Sequence, residues 1–473
     1  MAMESRSNAI GAVAAINRAN ALIEQRIGNL ASQDATSIWA AQDELSAAVA
    51  KAGIHFEGRA YPLCLRPLVI DAQVASQLKS IVEAFLEVLD VAAELYCCDK
   101  EVQNLFSSYN HLQPWIIRLP KHRPIVRICR LDGMFGRDGH YKIIETNTEG
   151  PGGVIQTGLA ASVWSQIRNP LTHSLSFAPS KQRSANDPNA FVRELKDTYR
   201  AEKGSELRSA AVVNFKGRFV NEVDWIIKGL EDAGIEAALF DVRALKRTPR
   251  GLIGPDCRRV ELVYNKLDVR DMMDADECHA YLESCAAREV VSINPWISQW
   301  ILSDKAILAV LSDDRFRSNF TSSQIELVAR HVPWTRVVRA GITTDPNGKR
   351  IDLIDYIREN RADLVLKPSN ATRGEGVQLG RRTPSGAWDA YIREAALKPY
   401  VVQEHIGSEH VTALDASSRS IQQMAWGIDC YVFGGRLAGF HSRASVDAVM
   451  NIGRSGILLP VLRTGNAAAS EYA

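Results

Sequence analysis

The chain has 473 residues, 46% of them hydrophobic and 23% charged, with a formal net charge of +1. That length exceeds one ordinary hydrophobic core and predicts two or three domains. The near-neutral balance gives no support to a general nucleic-acid binder, and no uninterrupted apolar stretch reaches the roughly 18 residues of a membrane span. The N-terminus lacks a basic leader followed by an apolar run, so a cytoplasmic protein is expected. Eight cysteines, at 64, 97, 98, 129, 257, 278, 285 and 430, form no CxxC pair and read as free thiols rather than disulfides or a zinc site.

In chain order, apolar residues recur at helical spacing over 9–52 and 73–96, with Gly53 closing the first region. The segment YPLCLRPLVI (61–70) carries two prolines, which argue against regular structure. Short apolar runs at 123–129 and 141–146 read as adjacent strands joined by a DGMFGRDG turn. PGGVIQTG (151–158) is glycine-rich but lacks the GK[ST] ending of a P-loop. The polar stretch 180–191 reads as a linker, with a domain boundary near residue 190. Strands at 209–215, 235–240, 260–265 and 289–294 alternate with helices at 221–234 and 273–286, the rhythm of a small, mostly parallel sheet. ISQWILSDKAILAVLSDDRF reads as an amphipathic helical stretch, with Ser303 as a helix cap. Further strands are expected at 362–369, 398–406 and 428–443, the last carrying an FGGR hairpin turn.

The residues suited to chemistry begin with Arg130–Asp132 and Glu145–Asn147. Each pair is spaced by two, so on strands each would face one side. Carboxylate and amide oxygens suit magnesium, and an arginine fork suits phosphate. A surface turn with strand-end hydrogen bonds is the plainer reading of the same spacing. Lys367 ends an apolar strand before the run ATRGEGVQLG, whose Arg373, Gly374 and Gly376 suit a loop that approaches phosphate. Lys305 is either an exposed charge in a helix's first turn or a second phosphate contact. Gln403 and Glu404 follow an apolar pair and suit a nucleotide's adenine edge. Arg443 ends another strand, with Asp429 and Asn451 nearby, and would face phosphate or a substrate carboxylate.

These motifs occur in an order that resembles the circularly permuted ATP-grasp proteins related to the synthetase domain of glutathionylspermidine synthase. R-x-D at Arg130–Asp132, E-x-N at Glu145–Asn147, ILSDKAILAVLSD around Lys305, VPWTR at 332–336, LVLKPSNATRGEGVQLG around Lys367, VVQEHI around Glu404 and GFHSR ending at Arg443 carry the resemblance over roughly 120–460. TEGPGG after Asn147 departs from the Asp-Thr-Pro-like continuation of the better-known synthetases, and no amidase domain is evident.

The resemblance implies a multidomain α+β and α/β chain, with a circularly permuted ATP-grasp fold, a preceding α/β substrate domain and N-terminal helices. The expected division is 1–118 helical, 119–190 permuted strands with the metal motif, 191–300 substrate domain, 301–463 nucleotide-binding region and 464–473 flexible tail. It also implies ATP and two magnesium ions as cofactors. Asp132, Glu145 and Asn147 would bind metal. Lys305, Lys367, Arg373, Gly374, Gly376, Gln403 and Glu404 would hold nucleotide, with Arg130 and Arg443 at the reacting phosphate. The expected activity is ATP-dependent carboxylate–amine ligation through an acyl phosphate. Its substrates would be small acids and amines, such as amino acids or peptides, with no nucleic-acid or membrane partner. A homo-oligomer is compatible with the sequence. An ATP-dependent phosphotransferase and a noncatalytic nucleotide-binding or partner protein are the competing readings.

Overall fold

The computed structural model describes residues 2–56, 58–120, 122–172, 188–215, 220–267, 276–447, 450 and 455–463. Most of the expected 180–191 linker, the start of the helix expected at 273, Asn451 and the expected tail from 464 lie outside them. No described helix is long and apolar enough to cross a membrane.

The first apolar region forms two helices, Ala2–Gln33 and Thr36–Lys51, separated where the Asp34 carboxylate accepts from the Thr36 amide. A third, Ala72–Cys98, is capped by Asp71, which accepts from the Val74 amide. Its buried face runs from Val74 through Leu78, Val82 and Phe85 to Leu89, the spacing that seats a helix on a core.

The proline-bearing segment between these helices is more regular than its prolines suggest. Leu68–Ile70 is a strand, paired in parallel with Val461–Arg463. Helical side chains satisfy backbone groups that the prolines leave unladdered. Asn20 donates to the Val69 carbonyl and accepts from its amide, while Gln42 donates to Leu63 and accepts from Leu65. Buried polar backbone needs such partners, and here they come from residues distant in sequence.

Three sheets position the site. The largest has six antiparallel strands in the order Ile457–Leu459, Arg436–Ser445, Ser420–Phe433, Ile128–Phe135, Tyr141–Asn147, with His410–Asp415 also pairing Ser420–Phe433. It thus draws strands from either side of the parallel sheet in sequence. The FGGR turn forms as expected: Phe433 pairs Arg436, and Gly434 and Gly435 have φ of +60° and +78°, the primed-turn geometry. The expected DGMFGRDG turn is shorter, because Ile128–Phe135 continues as strand through Asp132, Gly133 and Met134.

The second sheet is parallel, in the order Val291–Ile293, Leu262–Asn265, Ser209–Asn214, Glu236–Asp241, as the alternation predicts. The third is antiparallel, in the order Thr335–Val337, Tyr400–Glu404, Leu364–Pro368, Gln378–Leu379. It packs a core of its own, with Trp334, Leu366, Val402, Ile357, Trp388 and Ile392 buried together.

The stretch expected as one amphipathic helix is two pieces, a π-helical turn Ile297–Leu302 and an α-helix Ala306–Ser312. Its residues 297–302 and 306–311 are all buried, so it is a core element rather than a half-solvated one. Ser303 does not cap it. Its hydroxyl donates back to the Gln299 carbonyl; Lys305 holds the cap position with no side-chain cap bond, and Asp304 accepts from the Ala306 amide in a turn just before it.

Candidate active site

Asp132 and Glu145 are directly opposed on neighbouring strands, as are Arg130 and Asn147. Opposed residues share a face, so the two spaced-by-two pairs form one patch. A register shift between Asp132 and Gly133 moves the pairing by one residue, and it resumes with Gly133 opposite Ile143. Across the same sheet, Asp429 opposes His441 and Gly427 opposes Arg443. The patch opens into a cleft of about 1190 Å³. Of the residues singled out in the sequence, Arg130, Asp132, Glu145, Asn147, Lys305, Lys367, Arg373, Gly374, Gln403, Glu404, Asp429 and Arg443 line it.

Gly376 does not line the cleft. With φ of +69° and an added Cβ only 2.6 Å from the Pro368 ring, it shapes the turn from behind. Arg373 and Gly374 also have positive φ, +59° and +69°. The run therefore reverses sharply before Gln378–Leu379 pairs Leu364–Pro368.

The charges interlock. Arg130 grips Asp132 with two nitrogens, Nε at 2.6 Å from Oδ1 and Nη2 at 3.2 Å from Oδ2, and its Nη1 donates to the Gly152 carbonyl. Arg443 Nη2 donates to Asp132 Oδ2 at 2.6 Å, and its Nε lies 2.9 Å from Asp429 Oδ2. Burial alone would raise the Asp132 carboxyl, but the two arginines outweigh it and hold the group well below the usual carboxylate range.

Lys305 is buried rather than exposed in a first helical turn. Its Nζ lies 2.8 Å from Glu145 Oε1 and donates to the Ala371 carbonyl at 2.7 Å. Burial opposes its charge, but Glu145 raises its pKa above the ordinary lysine value. Asp304, next to it, accepts from Tyr109 and Ser369, so the helical N-terminal region braces this lysine.

Lys367 Nζ donates to Gln403 Oε1 at 2.6 Å, and Gln403 Nε2 donates to Thr335. Gln403 is thus committed to positioning Lys367, while exposed Glu404 sits beside it at the strand's end. Burial pushes Lys367 down to about 8, against the pull of Glu145. Its charge is therefore present below that value and lost above it. Nucleotide affinity is expected to fall as pH rises through about 8, a step that Lys367→Met should lack; nucleotide titrations on both sides of that pH check it. The stability contribution has the opposite sign. Between about 8 and the free-lysine value near ~10.4, the unfolded chain binds more protons, so this group favours folding more as pH rises.

The donor set suits a hard cation. Asp132, Glu145 and Asn147 offer only oxygens, the preference of magnesium. Among the described residues no cluster of three His, Cys, Asp or Glu forms a closed cage, so the Asn147 amide would be the third donor. Without such a cation, Asp132 and Glu145 are neutralised by Arg130, Arg443 and Lys305.

Several cleft residues were not picked out in the sequence. Glu149 lies two positions beyond Asn147, continuing the alternation. Its carboxyl is pushed up to about 7 by burial and by Glu145. His441, two before Arg443, is buried with neither ring nitrogen hydrogen-bonded; burial favours its neutral form against the pull of Asp429. Lys266 and Glu222 form an ion pair at 2.9 Å with side chains only 2% and 4% exposed. Alternation was a usable signal for Glu149 and His441. None existed for the last pair, which come from separate elements of the parallel layer.

Neither a protein-family model nor a curated protein matches the chain. Solved structures do match. The glutathione synthetase-like effector of Globodera pallida, in its apo form, aligns at 14% identity with a TM-score of 0.59, over 91% of this chain and 98% of that one. The chain shares its mixed α/β fold with that protein. At this identity the likeness is one of fold. A candidate γ-glutamylcysteine synthetase from Methylobacillus flagellatus KT aligns at 12% identity and a TM-score of 0.42 over 80% and 88% of the two chains. D-alanyl-alanine synthetase A from Vibrio cholerae O1 biovar eltor aligns at 10% and 0.24 over 47% and 67%. These two likenesses are too slight to add to the first. Within this fold, the cleft lies where the face of the six-stranded sheet meets the strand ends of the third sheet.

Proposed function

We propose that the protein is an ATP-dependent carboxylate–amine ligase that works through an acyl phosphate, on a circularly permuted ATP-grasp scaffold. One observation carries this reading. Two lysines and two arginines from four separate elements meet a carboxylate–amide patch in one cleft. Arg130, Arg443 and Lys305 rest on carboxylates, so an anionic triphosphate binds best when it brings a cation of its own.

Asp132, Glu145 and Asn147 would hold magnesium, which supplies charge neutralisation at the triphosphate. Lys305 and Lys367 bind the outer phosphates, and the Arg373–Gly374 turn covers them. Glu404 forms the adenine and ribose edge, while Gln403, expected there too, fixes Lys367 instead. Arg130, and with it Arg443, offsets charge at the phosphoryl group in transit. The substrate carboxylate attacks the γ-phosphorus and ADP leaves. The neutral amine then attacks the acyl carbon and the C–N bond forms; the C–O bond to phosphate breaks, phosphate leaves with the bonding electrons, and the nitrogen's proton leaves with it or to solvent. The cleft walls limit water at the acyl phosphate. No protein nucleophile is needed, in keeping with Cys64, Cys129, Cys278 and Cys430 being buried.

The test is a panel of small carboxylates and amines, amino acids and peptides included, read by ADP and phosphate release and by product mass. The expected result is ADP, phosphate and an amide product in equal amounts. A stable phosphorylated acid with no amide, or nucleotide binding with no turnover across the panel, contradicts the reading.

A further inference from the structure

In the third sheet Lys367 opposes Val401, and three residues along the same pairing Glu404 opposes Leu364, roughly 10 Å away at ~3.3 Å per residue. In the six-stranded sheet the strand that carries Asp132 runs on to Phe135 and turns, with the Gly136 amide donating to the His140 carbonyl. Arg137 sits in that turn, roughly 16 Å of extended chain beyond Asp132. The two layers face each other at both ends of this run. At one end Lys367 lies within electrostatic reach of Glu145 and Asp132. At the other, a Cβ added to Gly407, just past Glu404, would meet Arg137 Nε at 2.9 Å. Gly407 has no left-handed φ, so its missing side chain makes room for the arginine rather than for a turn.

Arg137 is exposed and lines the cleft, and among the described residues its guanidinium has no ion-pair or hydrogen-bond partner. That sets it apart from Arg130, Arg443 and Lys305, which rest on carboxylates. Its neighbour His405 is pushed down to about 4 by burial first and then by Arg381, with Lys367 and Arg137 adding less. The imidazole is therefore neutral at pH 7 and neither pairs with Arg137 nor joins it in a second anion site. Met134, Val365, Leu379 and Ile406 line the cleft too and give it apolar walls that suit a base. The metal patch and both lysines are gathered at the opposite end. A triphosphate anchored there carries its nucleoside toward Glu404 and Arg137. A guanidinium is flat, stacks on ring faces and carries five donors, whereas Glu404 can only accept.

We propose that Arg137 is a nucleoside-binding residue, its guanidinium laid against the base and ribose, so that one β-hairpin holds the nucleotide at both ends. This rests on the ATP-dependent reading, which placed Glu404 alone at the nucleoside end.

The test titrates the full chain calorimetrically with a magnesium-loaded nonhydrolysable ATP analogue and, separately, with adenosine, which has no phosphate. Arg137→Ala is expected to bind both about tenfold more weakly than the wild type. Because the side chain is exposed and unpaired, the variant should keep the wild-type melting curve. Three outcomes overturn the proposal. The variant binds both ligands as the wild type does, or it weakens the analogue and leaves adenosine unchanged, in which case the arginine serves phosphate. Alternatively, the wild type binds the analogue but shows no adenosine binding. A wild type that binds neither ligand sinks the ATP-dependent reading itself, whereas an unchanged variant beside a binding wild type sinks only the role of Arg137.

Discussion

Replacing Glu222 with alanine is expected to destabilise the protein by about 3–5 kcal/mol, the range for breaking a buried ion pair from one side. Lys266 Nζ lies 2.9 Å from Glu222 Oε2, and neither side chain reaches solvent to any useful extent. The alanine leaves a buried ammonium without its carboxylate. It also strips the Gly153 and Val154 amides of their acceptor. The loss should be felt beyond the parallel layer, because this pair ties that layer to the turn after Asn147. Urea unfolding followed by tryptophan fluorescence measures it. Glu222→Gln should fall between wild type and alanine, since the amide oxygen still accepts from the two backbone amides. A cost under about 1 kcal/mol for the alanine, the scale of an exposed pair, would contradict this account of the turn.

Replacing Arg130 with alanine is expected to lower kcat by about 10²–10³-fold while leaving nucleotide affinity within a few-fold, the pattern of a group that acts on developing charge. Arg130 is well placed for that role. Its guanidinium is fixed by a two-point grip on Asp132 and by the Gly152 carbonyl. The variant should stay folded, because Asp132 keeps Arg443 as a partner. Arg130→Lys should rescue little, since a point charge cannot reproduce the two-point grip and the carbonyl contact together. The measurement is steady-state turnover with the substrate pair that the wild type couples, beside a direct nucleotide titration. A variant that loses nucleotide binding in parallel with turnover would make Arg130 a binding residue instead.

The sequence made some of this legible and hid the rest for physical reasons. Period-two spacing placed Arg130 with Asp132 and Glu145 with Asn147 on common faces, and the strands carry them. The alternation of strands and helices over 209–294 announced a parallel sheet, and one is present. Hidden were matters decided by long-range pairing. The register shift at Asp132–Gly133, beside the patch, has no local signature. The two prolines at 62 and 67 read as disorder of structure because their compensation comes from Asn20 and Gln42 on remote helices. Ser303 matched a cap by position, yet Asp304 is the residue whose oxygen reaches the Ala306 amide. For Lys305 the local sequence left a solvated helix-start charge and a phosphate contact both open, because its burial depends on Glu145 from a strand far earlier in the chain. The Lys266–Glu222 pair was invisible for the same reason, since neither residue belongs to a motif.

The central claim is that one cleft holds a metal-bound triphosphate between the carboxylate–amide patch and the two lysines. A crystal structure of the protein with magnesium and a nonhydrolysable ATP analogue tests it most directly. The account predicts metal on Asp132, Glu145 and Asn147, the terminal phosphate within hydrogen-bond reach of Lys305 and Lys367, and the adenine beside Glu404. Nucleotide seated elsewhere, or metal on other residues while Asp132 and Glu145 keep their present arginine and lysine partners, would contradict it.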